Sequence, residues 1–350
     1  MDGRALSTSS VRLAPRDPAS RAAIAVLLLG AASLFGLIML AGENPLRVLT
    51  ILVQRGFLER NGIADATVRA IPLCLVGLGI ALAFRANVFN IGADGQLLMG
   101  AAAAVSCAGL LAGLPAAVAL PLLLLAGCLG GAAWGGIAGA LKARFGANEI
   151  IATIMLNYIA IQIVSWLIRG PLQESMGMFP RSDRLAETLR LPLLLDGTRI
   201  SAGLIVALFA TLLVWILVSR ARYGYELTIT GQNPDAARYG GVRPGWITFS
   251  VLCLSGALAG LAGIVEVSGV HGRLQEGFAT GLGITGIAVA LLARLNPLLV
   301  PVSAFGFAGL YAGSAAVARV TSVPFPLVHI IEATIIFAFL AASVLRRRTA

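Results

Sequence analysis

A polar stretch interrupts the apolar chain at residues 87–99, which read Asn-Val-Phe-Asn-Ile-Gly-Ala-Asp-Gly-Gln-Leu-Leu-Met. Amide and carboxylate side chains can hydrogen-bond a polar solute, and the two glycines interrupt the apolar pattern. In hydrocarbon, an interrupted helix is tolerated only where protein or a water-filled cavity surrounds it. The pattern therefore predicts a solute pathway, in which we place Phe89, Asn90, Asp94 and Gln96.

Two other interpretations fit the same residues. The stretch is also compatible with a tight turn between two membrane spans at the membrane surface. Within an interrupted helix, Asn90 and Gln96 are equally suited to contacting a solute and to satisfying the broken backbone. The sequence alone does not choose between these roles.

The composition defines the class of protein. Hydrophobic residues make up 58% of the 350 positions and charged residues only 12%, with a mean hydropathy of +0.90. These values are too apolar for a soluble domain of this length and predict an all-α, multi-pass membrane protein. The net charge of +10 comes almost entirely from arginines at the ends of apolar runs, since Lys142 is the single lysine. This arrangement is typical of topology signals and argues against nucleic-acid binding.

Apolar runs of about 17–25 residues are candidates for transmembrane helices. The sequence contains about ten such runs, some of them short or broken. The predicted spans are 22–41, 66–85, 92–112, 115–140, 148–168, 200–219, 246–269, 281–295, 298–318 and 325–345.

Arginine placement predicts the orientation. An even number of spans places tails 1–21 and 346–350 in the cytoplasm, flanking a transmembrane domain at 22–345 that includes a cytoplasmic loop at 220–245. Segment 42–65 interleaves apolar residues with arginines and is expected to lie as a helix at the outer interface. Segment 169–199 contains three prolines and is expected to form an irregular outer loop with a short helix near 182–190.

Glycine spacing predicts where the helices meet. Glycines recur every four residues in the fourth span and form pairs with the same spacing in the seventh and ninth. Such stripes allow close backbone approach, which favours static packing over a moving interface. The stripes are Gly127, Gly131, Gly135 and Gly139; Gly256 and Gly260; Gly309 and Gly313.

A second polar, glycine-rich stretch at 277–290 resembles the first one at 89–100. In the predicted topology the spans that follow the two stretches run in opposite directions. Two such interrupted segments suggest inverted halves with a pathway between them. We therefore add Thr285, from the second stretch, to the candidate pathway residues.

The longest cytoplasmic loop predicts a short, well-capped helix. Asn233 is a good N-cap, Pro234 suits the first helical position, and Asp235 lies in the favourable first turn. Gly240 and Gly241 can end the helix. Its small residues Ala236 and Ala237 are expected to fit a cleft of a soluble partner, with Arg238 and Tyr239 at the rim.

These motifs resemble those of ABC-importer permeases for simple sugars and nucleosides, and are most similar to the longer permease of paired nucleoside importers. Residues 89–98 resemble a signature that usually has Glu where this chain has Asp94. Asp235-Ala236-Ala237 followed by Gly241 resembles the coupling loop, again with Asp for Glu. Residues 286–292 and Asn296-Pro297 resemble the second half, and the similarity covers about 20–345.

The resemblance implies a type II-like permease of the bacterial inner membrane that forms the pathway for a nucleoside or a simple sugar. The chain has no Gly-x-x-x-x-Gly-Lys phosphate loop and is expected to be no enzyme itself. ATP and Mg²⁺ would be bound by a partner ATPase that grips the coupling loop. A second, homologous permease and a periplasmic or lipid-anchored substrate-binding protein would complete the transporter.

An ion-coupled secondary transporter of a small polar solute is the alternative. Such a carrier needs ionisable groups along its route, for which Asp94, Glu149, Glu266 and Glu332 are candidates. A metal site is not expected. The four cysteines lack metal-ligand spacing, and Glu266 and His271 have the wrong spacing for a His-Glu metal motif.

Overall fold

The computed structural model describes residues 29–321 apart from 31, 34, 37, 196, 279 and 280, together with residues 330 and 334. Secondary structure in these residues is helical, with two isolated β-bridges that join Arg181 to Gln275 and Leu193 to Ser201. The predicted all-α class is thereby confirmed. The chain divides into two units, one formed by residues 1–48 and 321–350 and the other by residues 49–320.

In the first unit, the described residues between 29 and 40 are helical. A turn follows, in which the Gly42 N–H donates to the Met39 carbonyl at 2.9 Å. These residues belong to the first predicted span. The last predicted span, at 325–345, lies outside the described residues except for Ile330 and Thr334, and both predicted tails lie outside them as well.

The helices of residues 45–320 are numbered in chain order. A π-helical turn at Gln54–Leu58 follows α1, a 3₁₀ turn at Glu187–Leu189 precedes α6, and a π-helical turn at Val267–His271 extends α9. The α-helices are α1 (Pro45–Val53), α2 (Arg60–Arg85), α3 (Ala93–Leu111), α4 (Ala116–Phe145), α5 (Glu149–Arg169), α6 (Gly203–Ser219), α7 (Arg222–Gln232), α8 (Pro234–Tyr239), α9 (Pro244–Glu266), α10 (Leu282–Leu292) and α11 (Val300–Val320).

Eight of the ten predicted spans correspond to helices of this unit. Within the described residues, six are long and apolar enough to cross a membrane, and the pair α6 and α7, bent by 69°, is a seventh candidate. Helix α10 has only 11 residues, which is about half of the length that a span needs. The described residues therefore contain six or seven candidate spans.

The segment at 42–65 differs from the single interfacial helix that was expected. Helix α1 and its π-helical turn end at Glu59, where the backbone is extended (φ −78°, ψ 142°), and α2 begins at Arg60. The α2 helix therefore starts six residues before the predicted span. Its charged first turns extend the helix beyond the apolar run from which the span was identified.

The loop at 169–199 is irregular, as predicted, and the 3₁₀ turn is its only helical segment among described residues. Three backbone hydrogen bonds fix it to the segment after α9, one of them from the Leu191 N–H to the Ser268 carbonyl at 3.1 Å. The Ser182 N–H donates to the Leu274 carbonyl at 2.8 Å, and the Leu185 N–H to the Gly272 carbonyl at 2.9 Å. Leu185 and Leu189 of this loop are buried, so the loop is part of the packed structure.

Helix α2 lies at the centre of the bundle and α5 at its periphery. In the most apolar window of each helix, 78% of the α2 residues are buried but only 17% of the α5 residues. The exposed side chains of α5 are large and apolar, as expected for a surface in contact with lipid or with another membrane protein.

The predicted glycine stripes are packing surfaces between helices. Helices α4 and α9 run antiparallel, with Gly131 against Gly256 and Gly260. A Cβ atom on Gly131 would lie 2.1 Å from the Gly256 carbonyl oxygen, so only glycine permits this approach. Gly100 of α3 packs against the same part of α9, and a Cβ atom on Gly100 would lie 2.2 Å from the Gly260 Cα. Three helices therefore pack here without side chains between them.

This contact predicts a large difference between two alanine substitutions. Gly131→Ala forces α4 away from α9 and should lower the free energy of unfolding by about 1–3 kcal/mol. Gly109→Ala in α3 is the matched control, because a Cβ there meets no atom of the described residues within 4 Å. Thermal unfolding of the detergent-solubilised chain measures both. Equal midpoints for the two variants would contradict the packing described here.

Candidate functional site

The first polar stretch lies inside the helical bundle. After α2 ends at Arg85, the chain turns at Asn87 (φ 56°), and residues 88–92 have no regular secondary structure until α3 begins at Ala93. Asn90 contacts Ser255, the twelfth residue of the 23-residue α9, which is about 16 Å from the start of that helix. The stretch is therefore an interruption at mid-depth of the bundle, and a turn at its surface is ruled out.

Asn90 and Gln96 satisfy the interrupted backbone and each other. The Asn90 side-chain amide donates to Gln96 Oε1 and to Ser255 Oγ, both at 2.8 Å. Its Oδ1 atom accepts from the Gly92 N–H at 3.0 Å and from Gln96 Nε2 at 3.1 Å. Because their exposed fractions are 0% and 1%, these two residues form an internal network and do not line a cavity.

Asn157 of α5 holds the interruption from the other side. Its amide donates to the Ile91 carbonyl at 2.9 Å, and its Oδ1 atom accepts from the Gly95 N–H at 2.8 Å. Neither Asn157 nor Ser255 was predicted from the sequence. Asn157 and Gln162 are the two amide side chains of the largely apolar α5, and an amide in such a helix is a sequence signal that could have indicated Asn157.

Phe89 lies at the beginning of the interruption. Its ring packs edge-on against Phe84 with centroids 5.1 Å apart, and 43% of the residue is exposed. Glu149, at the start of α5, lies close to the Phe89 backbone N–H and forms an ion pair with Lys142. These contacts join the interruption to the short connection between α4 and α5.

The two interrupted stretches meet at Asp94. Its Oδ1 atom accepts a hydrogen bond of 2.7 Å from the Gly283 N–H, in the first turn of α10. Asp94 itself lies in the first turn of α3. The carboxylate thus lies at the N-terminal ends of two helices, where the helix dipoles stabilise negative charge. Thr285 donates to the Gly281 carbonyl at 3.0 Å within α10.

A cavity of about 420 Å³ lies beside Asp94. Of the five predicted pathway residues, Asp94 is the one that lines it, and α5 and the segment before α10 supply most of the remaining wall. The lining residues are Asp94, Leu98, Ile161, Gln162, Val164, Ser165, Gln275, Glu276, Gly277 and Gly281.

The second carboxylate of the cavity is held by neighbours. Glu276 Oε1 accepts from Ser165 Oγ at 2.6 Å and pairs with Arg169 at 3.0 Å. The Ser165 hydroxyl and the Arg169 guanidinium lower the pKa of this carboxyl below its usual value. Glu276 is therefore ionised at neutral pH, and the cavity wall carries two carboxylates, two amides and one hydroxyl.

The predicted capped helix is present as α8. Asn233 Oδ1 accepts from the backbone N–H groups of Asp235 and Ala236 at 3.0 and 3.1 Å, and Gly241 has a positive φ of 79°. Arg238 pairs with Asp235 at 2.9 Å. The signals for this helix are local in sequence, which is why its bounds could be predicted.

The two alanines of α8 face opposite ways. Ala236 is exposed, but Ala237 is fully buried within its own chain. The expectation that both alanines enter a partner's cleft is therefore wrong for Ala237. The exposed residues of α8 are Pro234, Asp235, Ala236, Arg238 and Tyr239, and the last is 96% exposed.

An apolar helical bundle with a polar-lined cavity at a mid-depth helix interruption is the architecture of a membrane transport protein. Residues 62–340 match the family model of the permease component of branched-chain amino acid transport systems, and the chain belongs to this family.

Three curated relatives are similar over most of their length. The glucose ABC transporter permease protein TsgB13 of Haloferax volcanii is 36% identical over 334 residues, covering 93% of this chain and 87% of the relative. The guanosine permease NupP of Bacillus subtilis is 39% identical, with coverages of 79% and 80%. The nucleoside permease NupB of Lactococcus lactis is 30% identical, with coverages of 86% and 85%. No solved structure matches the chain.

These similarities decide between the two classes considered above. The chain is an ABC transporter permease subunit, an integral membrane protein that is not an enzyme itself, and the ion-coupled alternative is wrong. Membership of an ABC transporter implies an ATPase and a substrate-binding partner.

The buried amide network predicts the effect of replacing Asn90. Asn90→Leu leaves the Gln96 amide, the Ser255 hydroxyl and the Gly92 N–H without this partner, at about 1–3 kcal/mol for each group that stays unsatisfied. We expect a markedly lower thermal unfolding midpoint in detergent. Asn148→Leu, which removes an exposed N-cap at the start of α5, should cost only about 1 kcal/mol. Similar midpoints for both variants would show that the network does not support the interruption.

Proposed function

We propose that this chain forms the translocation pathway of an ATP-driven importer for a nucleoside or a simple sugar. The observation that carries the proposal is the Asp94 carboxylate, which joins two interrupted helices and lines the cavity of about 420 Å³. The three relatives described above are named for glucose, guanosine and nucleosides. Sugar and ribose hydroxyls share the hydrogen-bonding groups that such a wall would recognise.

The cavity chemistry favours a neutral, hydroxyl-bearing solute. Asp94 and Glu276 accept hydrogen bonds, whereas Gln162 and Gln275 both donate and accept them. Two carboxylates repel an anion in a site of low dielectric constant, so phosphorylated sugars and nucleotides are disfavoured. Leu98, Ile161 and Val164 offer apolar contact to the less polar face of the same solute.

The pathway cannot follow the Asn90 network through the bundle. Where α3, α4 and α9 meet, even a Cβ atom would overlap the neighbouring backbone. A solute therefore needs a route along α5, the peripheral helix that supplies Gln162 and Ser165 to the cavity. We assign the other side of that route to the second permease, a homologue of this chain.

The remaining parts of the transporter follow from the family. An ATPase subunit would bind ATP and Mg²⁺ and contact α8, and a periplasmic or lipid-anchored receptor would deliver the substrate. We propose ten spans in two inverted halves, with both termini on the cytoplasmic side of the bacterial inner membrane. The mutual approach of the α3 and α10 N-termini supports the inverted halves, and the arginine-rich ends of the spans support the orientation.

Uptake into proteoliposomes tests the substrate class. The complete complex with its receptor should accumulate labelled guanosine or glucose only when ATP is present. Asp94→Asn removes the charge and should lower uptake at least about tenfold, as expected for a charge-assisted hydrogen bond of about 1.5–3 kcal/mol. Asp65→Asn, at an exposed position of α2, is the control and should leave uptake unchanged. Absence of ATP-dependent uptake of every nucleoside and monosaccharide tried would overturn the proposal.

Enlarging the exposed face of α8 tests its coupling role. Ala236→Trp should block docking of the ATPase and abolish uptake without unfolding the membrane part, because Ala236 is exposed. Ala116→Trp, at the exposed start of α4, is the matched control and should retain both activities. Co-purification with the ATPase measures docking. Normal docking and uptake in Ala236→Trp would place the ATPase contact elsewhere on this chain.

A further inference from the structure

Helix α10 is held at each end by a residue that flanks the first interruption. At its N-terminus, the Gly283 N–H donates to Asp94 at 2.7 Å. Beyond its C-terminus, the Leu295 carbonyl accepts from Arg85 Nε at 2.8 Å. Arg85 is the last residue of α2, and Asp94 is the second residue of α3. The short helix therefore bridges residues 86–93, which contain no helical turn until Ala93.

This arrangement fixes the depth at which α3 begins. From Gly283 to Leu292, α10 is a rigid rod of about 14 Å, whereas the segment that it bridges has a turn at residues 86–87 and no regular secondary structure at 88–92. Side-chain hydrogen bonds support the interruption laterally, through Asn90 and Asn157. Helix α10 connects the two ends of the interruption along the direction of the helix axis.

The Arg85 end of the rod also contacts the loop that leads to α8. Gly231, in the last turn of α7, packs so closely on the end of α2 that its Cβ atom would lie 2.2 Å from the Arg85 carbonyl oxygen. Only Asn233 separates α7 from α8. A displacement of α8 is therefore passed through Asn233 to Gly231 of α7, whose backbone contacts the end of α2.

Backbone geometry at this place is unusual. Asn87 after α2, and Arg294 and Leu295 after α10, have φ values of 56°, 51° and 57°. Residues other than glycine rarely adopt this left-handed region, and they remain in it only where the surroundings hold them. The Arg85 hydrogen bond joins these two turns, so the C-terminal ends of α2 and α10 are held together at this place.

We propose that α10 transmits movement of the coupling loop to the cavity, with Arg85 as the positioning residue that joins the rod to the loop. The inference rests on the proposed role of α8. When the ATPase moves α8, Gly231 displaces the end of α2, and Arg85 moves α10 with it. At the far end, Gly281 and Asp94 both line the cavity, so a shift of α10 changes its shape.

The contacts at the two ends of α10 can be disrupted separately by substitution. Arg85→Met removes the donor at one end, and Arg85→Lys should restore part of it. Gly283→Ala pushes the rod away at the other end, because a Cβ there would lie 2.9 Å from the Asp94 carboxyl carbon. Arg319→Met is the control for the first, since among the described residues Arg319 Nε donates to Ala315 of its own helix. Gly109→Ala, with open space around its Cβ, is the control for the second.

The reconstituted complex provides the functional measurement. Arg85→Met and Gly283→Ala should each lower the substrate transported per ATP hydrolysed at least about tenfold, with ATPase docking unchanged. Arg85→Lys should recover a measurable part of the loss, and both controls should stay within about twofold of the unaltered complex. An unchanged transport ratio in correctly assembled Arg85→Met would overturn the proposal.

Hydrogen exchange in the isolated full-length chain tests the rod without transport. Arg85→Met should increase exchange in the first turn of α10 at least about fivefold, although the substitution is at the other end of the helix. Arg319→Met should leave exchange there unchanged. If hydrogen exchange at α10 is unchanged in Arg85→Met, the proposed mechanical link through α10 is wrong, whichever solute the transporter carries. If α10 responds but no ATP-dependent uptake of any solute is found, the proposed function fails and the mechanical link within the chain stands.

Discussion

The requirement that every buried backbone group finds a hydrogen-bond partner determines the rest of this structure. An interruption at mid-depth of a membrane bundle removes helical hydrogen bonds where water cannot replace them. Here three side chains take over: Asn90 accepts from Gly92, Asn157 binds both Ile91 and Gly95, and Asp94 accepts from the second interrupted stretch. The interruption is therefore a defined structure, held in place by α5, α9 and α10.

Close helix packing decides where space for a solute remains. The glycines of α4 and α9 bring these helices into backbone contact, and Gly100 draws α3 against the same surface. Because one side of α3 packs closely against α4 and α9, the cavity is lined by its other side, which faces α5 and the segment before α10. One helix thus separates a rigid core from the space that a substrate could enter.

Local signals made part of this arrangement predictable. The interruption, the glycine stripes and the capped helix after Asn233 each arise from residues close together in sequence, and each was predicted within a few residues. The roles of Asn90 and Gln96 depended on Ser255, which lies 165 positions from Asn90, so the sequence left them open. Likewise, helical spacing alone could not show that Ala237 is buried while Ala236 is exposed.

The chemistry of Asp94 allows it to be a structural and a binding residue at once. A carboxylate offers about four acceptor positions, and the hydrogen bond from Gly283 occupies one of them. The others can accept from a solute while α10 stays in place. An amide at this position has fewer acceptor positions and no charge to interact with the two helix dipoles. A carboxylate is therefore the side chain best suited to hold α10 and to face the cavity, so any movement of α10 acts on the group that would bind the solute.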